Sequence, residues 1–97
     1  MTELDILWPD NASVTDVVTA IETCCHTYAL TQTMKGTLAK YVGCVHLHFK
    51  QGKAKGVLEI TLWPNQHRLW FGVHENRKAD WINAAMTHLK PVIEVRL

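Results

Sequence analysis

From residue 44 to residue 74 apolar and polar positions alternate. Val45, Leu47 and Phe49 are interleaved with Cys44, His46, His48 and Lys50; Leu58, Ile60 and Leu62 with Val57, Glu59, Thr61 and Trp63; Leu69, Phe71 and Val73 with Arg68, Trp70, Gly72 and His74. A period of two returns side chains to the same side of a pleated strand, which predicts strands at about 44–50, 57–63 and 68–74. Gln51 to Gly56 and Pro64 to Gln66 are short, turn-forming connections. Connections this short make neighbouring strands antiparallel, so the three form a meander.

On either side the period lengthens. Val14, Val17, Val18, Ile21, Cys24, Cys25 and Tyr28 recur at spacings of three and four, with Thr15, Thr19, Glu22, Thr23 and His26 facing away. This is the stripe of an amphipathic helix at about 14–29. Ser13 and Asp16, three apart at its start, approximate a capping box. Trp81, Ile82, Ala85, Met86 and Leu89 mark a second helix at about 77–90, with Asn76 as its cap. Pro91 is expected to end it, because an interior proline removes an amide and collides with the preceding turn. Segments 4–8, 37–42 and 92–96 are candidate edge strands, with Gly36 closing the linker after the first helix. The expectation is a single α+β domain over 1–97, with two helices on one face of an antiparallel sheet.

Register then decides which side chains share a face. With Lys50 opposite Val57 and Trp63 opposite Arg68, Val45, Leu47, Phe49, Leu58, Ile60, Leu62, Leu69, Phe71 and Val73 point inward. His48 then sits beside Glu59 and His46 beside Thr61 on the outer face, with Trp70 next along the row. Trp63, Trp70, Arg68, His46, His48, Glu59 and Thr61 combine aromatics and arginine with a polar border, as the centres of interfaces do. The leading expectation is therefore a small non-catalytic binding protein. Its outer face would pair two copies as a homodimer, meet another protein, or hold a small planar ligand. The plainer explanation is that the chain's own ends or linker cover Trp63 and Trp70 as a second core layer.

Two other chemistries are written in the same residues. His46 and His48 project two imidazoles to one side of a strand, Glu59 adds a carboxylate and His74 lies on the third strand, a zinc or iron ligand set with room for water or substrate. Against it, an open sheet face offers little concavity, and exposed histidines are commonly solvated or stacked on tryptophan. No other catalytic constellation is present, so an enzyme reading requires that metal; without it no cofactor is expected. Lys50, Lys53 and Lys55 crowd one hairpin, and Arg77 and Lys78 open the second helix, where backbone amides favour phosphate. The order helix, three antiparallel strands, helix over roughly residues 14 to 90 resembles that of double-stranded RNA-binding domains. That resemblance implies a hairpin and a helix start presented to RNA. Here Arg77 and Lys78 occupy that start, followed by Asp80. The plainer role of the lysines is to solubilise a hairpin tip and guard a sheet edge.

Composition narrows these readings. Over 97 residues, 47% hydrophobic and 20% charged composition suits one folded domain with a modest core. A formal charge of +1 argues against a charge-driven DNA coat or a polybasic membrane tether, so a charged partner must be met by a local patch. No segment approaches the roughly 18–20 apolar residues of a membrane helix. Met1 to Asp5 lacks a basic region leading into an apolar one, and a cytoplasmic chain is expected. Cys24, Cys25 and Cys44 are odd in number and form no CxxC spacing, which favours buried free thiols.

Overall fold

The three alternating segments become β3 (Val45–Lys50), β4 (Leu58–Trp63) and β5 (Arg68–Val73) in the computed structural model, which describes all of Met1–Leu97. The anticipated register holds, with His48 opposite Glu59, His46 opposite Thr61 and Trp63 opposite Arg68. Two further strands extend the meander. β1 (Thr2–Asp5) pairs with β5 and β2 (Thr31–Gly36) with β3, giving a five-stranded antiparallel sheet in the order β1-β5-β4-β3-β2.

Helices α1 (Val14–Thr27) and α2 (Asp80–Arg96) close one face of this sheet. Leu47, Phe49, Leu58, Ile60, Leu62, Leu69, Phe71 and Val73 meet Val17, Ile21, Cys24 and Cys25 of α1 and Ile82, Ala85, Met86, Leu89 and Ile93 of α2 in one core. Burying each large apolar side chain contributes about 1.5–3 kcal/mol, and a slip by one residue would turn the set outward, so this face fixes the register. α1 starts in a complete capping box. The Asp16 amide donates to Ser13 Oγ and the Ser13 amide to Asp16 Oδ2, both at 3.1 Å. It ends in a Schellman turn, with Leu30 N donating to Cys25 O while Ala29, at φ 67°, takes the left-handed position usually held by glycine.

Four expectations are corrected. The edge strand is at 31–36 rather than 37–42. Its residues are exposed on both faces apart from the half-buried Met34, so no alternation marks them. An extra strand therefore follows α1, and the element order departs from that of the double-stranded RNA-binding domains. Residues 92–96 form no strand, because α2 runs through Pro91 to Arg96. Ile93 prolongs the buried stripe, while Pro91 and Thr87, whose carbonyl loses its partner, both face solvent, where water can replace that bond. Finally, Glu75–Arg77 form a 3-10 turn and Ala79 precedes α2 without a side-chain cap, so Asn76 is not the cap. Arg77 and Lys78 stand ahead of the helix rather than in its first turn. The N-terminal strand is also displaced, to 2–5 from the expected 4–8: Trp8 turns into the core and donates from Nε1 to Ala12 O at 2.8 Å.

Candidate metal centre

On the face away from the helices, pairing sets two rows across the sheet. One runs Met34, His48, Glu59, Gly72, Glu3; the next runs Gly36, His46, Thr61, Trp70, Asp5. The centres of these rows bring three donor atoms together. His46 Nε2 lies 3.0 Å from His48 Nε2 and 3.1 Å from Glu59 Oε1, and His48 Nε2 lies 3.8 Å from the same oxygen. Thr61 Oγ1, 2.8 Å from His46 Nδ1, can accept its proton, which leaves the Nε2 lone pair directed at the cluster.

The cluster is sealed from below and open above. His46, Glu59 and Thr61 are each less than 5% exposed, whereas His48 is half-buried. Glu59 Oε2 has no hydrogen-bond donor, although His74 Nε2 comes within 3.2 Å of it. A buried carboxylate oxygen without a donor is costly, and this is the one buried side-chain nitrogen or oxygen of the fold left without a hydrogen-bond partner. Burial, reinforced by the charge of His74, holds His46 below its ordinary pKa of about 6.5. Burial also lowers His48, outweighing the upward pull of Glu59, with His46, Arg77 and His74 adding to the depression.

Thr37 to Gly43 shape the space above. Tyr41 packs on Trp63 and Trp70 at ring separations of 4.9 and 5.2 Å. Trp63 Nε1 and Asn65 Nδ2 both donate to the Val42 carbonyl at 3.0 Å, and the Leu38 amide donates to Cys44 Sγ at 3.3 Å. So anchored, the loop raises a wall on a surface expected to be flat. The result is a cleft of about 720 Å³ with His46, His48 and Glu59 at its floor and Met34, Leu38, Tyr41 and Arg77 among its sides.

Trp70 is 2% exposed beneath Tyr41, so it is covered rather than presented to a partner. Arg68 lies 4.1 Å above the Trp70 ring and is bound to Glu3 at 3.0 Å and Asp5 at 3.1 Å. His74 stands on the Oε2 side of Glu59, outside the group of three converging donors. Lys53 and Lys55 are exposed on the 51–57 connection, Lys50 is half-buried, and Lys78 is taken up by Glu75 at 2.8 Å. Of the expected basic residues only Arg77 lines the cleft. Met34, Leu38 and Tyr41 carried no signal in the chain beyond the glycines at 36 and 43 that bracket the loop.

The depressed imidazoles predict a pH response of the metal-free protein. Unfolded histidines take up protons below about pH 6.5, while the folded pair resists until lower pH. Their contribution to stability is thus complete above about 6.5 and is lost as pH falls through the folded values. Thermal unfolding in chelator should show a midpoint that falls between about pH 7.5 and about pH 5, less steeply for His48→Gln. An equal slope in that variant would contradict the assignment. No family model, curated protein or solved structure matches this chain.

Proposed function

We propose that the protein is a metal-binding protein in which His46, His48 and Glu59 hold one zinc-class divalent cation at the floor of the cleft. The supporting observation is the spacing of the three donors. Zinc–ligand bonds of about 2.0–2.1 Å at tetrahedral angles place ligand atoms about 3.3 Å apart, and separations of 3.0, 3.1 and 3.8 Å bracket that value. One shared proton can join only two of these three atoms, whereas a dication satisfies all of them.

The donor set suits zinc, or iron of the same charge, better than magnesium or calcium, which favour all-oxygen shells. Thr61 acts behind His46 as an outer partner that fixes the ring and its tautomer. Three protein ligands leave a fourth position facing the cleft, the arrangement of zinc sites that admit water or a ligand rather than of closed structural ones. Such an ion could polarise a bound carbonyl or lower the pKa of a bound water. The cover over Trp70 favours a small ligand entering this cleft over self-association through the same face.

Equilibrium dialysis of chelator-stripped, untagged protein against zinc should give one ion per chain. His48→Ala and Glu59→Gln should each reduce occupancy at least about tenfold, while His26→Ala, altering an exposed histidine on α1, should not. Equal binding by the Glu59→Gln variant and the parent would overturn the proposal.

A further inference from the structure

The metal would occupy only the floor of the cleft, and its walls bear on what enters above it. We propose that the cleft takes a small organic acid, its carboxylate at the open coordination position and beside Arg77, its apolar or aromatic body against Met34, Leu38 and Tyr41. This rests on the metal reading above.

Charge points to an anion. A dication with one glutamate and two neutral imidazoles leaves the floor with one positive charge. The rim adds Lys40 and Arg77, both exposed and neither in an ion pair with the chain's own carboxylates. Arg77 lines the same cleft as His46, His48 and Glu59, so its guanidinium borders the space above the metal ligands. Glu3, the other acid lining the cleft besides Glu59, is already bound to Arg68 at 3.0 Å. Guanidinium and metal together suit a carboxylate, whose two oxygens can be shared between them.

Shape points to the body. At about 720 Å³ the cleft has the size of a small-molecule site, and side walls of thioether, leucine and phenol give an apolar surface no hydrated inorganic ion requires. Tyr41 is held rigidly by Trp63 and Trp70, so the aromatic wall needs no ordering when a ligand arrives.

Cobalt-loaded full-length protein tests the proposal, because tetrahedral cobalt absorbs in the visible and its bands respond to a new ligand. The visible spectrum is recorded during titration with phenylacetate, acetate, phenylacetamide and inorganic phosphate. The expected result is a saturable spectral change with phenylacetate, binding at least about tenfold tighter than acetate, and none with the neutral amide. Arg77→Ala should weaken phenylacetate about tenfold without altering the ligand-free spectrum. Leu38→Ala should narrow the gap between phenylacetate and acetate. Cobalt bands that no carboxylate moves would overturn the organic-acid proposal while leaving the metal site standing. Phosphate binding as tightly as phenylacetate would overturn it in favour of a simple anion site. An absence of tetrahedral cobalt bands would overturn the metal reading and this one with it.

Discussion

Saturating zinc is expected to raise the thermal midpoint of the metal-free protein by about 10–20 °C. A ligand present at a hundredfold excess over its dissociation constant adds about 2.7 kcal/mol to the folded state, and each kcal/mol shifts a domain of this size by about 4–8 °C. The effect is large because the folded chain already holds the donors in place. His46 is oriented by Thr61, and Glu59 is buried with Oε1 already 3.1 Å from His46 Nε2, so little ordering accompanies binding. The unfolded chain exposes six imidazoles and three thiols that also attract zinc, which trims the shift and sets the control. Glu59→Gln keeps all nine of those groups and removes only a ligand of the proposed site. Scanning calorimetry of the two proteins with and without zinc should therefore show a shift in the parent that is absent from the variant. Equal shifts would place the ion elsewhere.

Gly56→Ala should cost roughly 2–4 kcal/mol, combining backbone strain and overpacking. Gly56 sits at φ +100°, and a β-carbon there would lie 2.8 Å from the Arg77 carbonyl oxygen, 2.9 Å from Ala79 Cβ and 3.0 Å from Ile82 Cδ1. The closest obstacle is backbone, which cannot swing aside as the end of a side chain could. The same close approach lets Val57 N donate to Arg77 O at 3.2 Å, pinning the turn that carries Arg77 to the sheet. Gly52→Ala is the matched comparison. Its φ is +53° with nothing within 4 Å, so only the left-handed cost of about 1–2 kcal/mol remains. Urea unfolding should give a clearly lower midpoint for Gly56→Ala than for Gly52→Ala at similar slope. Matching midpoints would show that the 74–79 turn yields freely.

The legible part of this protein was the part whose side chains face a core on one side only. Alternation from Val45 to Val73 defines both the inward set and, by exclusion, the pairing of His48 with Glu59 and His46 with Thr61. The candidate ligands were therefore readable from the chain. Their surroundings were not. Thr31 to Gly36 forms an edge strand with both faces largely wet, so hydrophobicity leaves no trace of it. The 37–43 wall depends on contacts distant in sequence, Trp63 to Val42 and Tyr41 to Trp70, that no local pattern encodes. Pro91 misleads for a related reason: proline reports local backbone cost, while α2 continues because Ile93, two residues on, is buried in the core shared with α1 and the sheet.

The three thiols have a consequence for how the molecule opens. Cys24 and Cys25 face the core; Cys25 is fully enclosed and burial pushes its thiol up to about 12, so an electrophile in solution reaches that sulfur only when the helices part from the sheet. Cys44 is buried too, but what covers it is the loop whose Leu38 amide it accepts. Detaching that loop uncovers one sulfur and leaves the core intact. The chain thus carries separate chemical clocks for two events, one timing the lifting of the cleft wall and the other the loss of the whole fold.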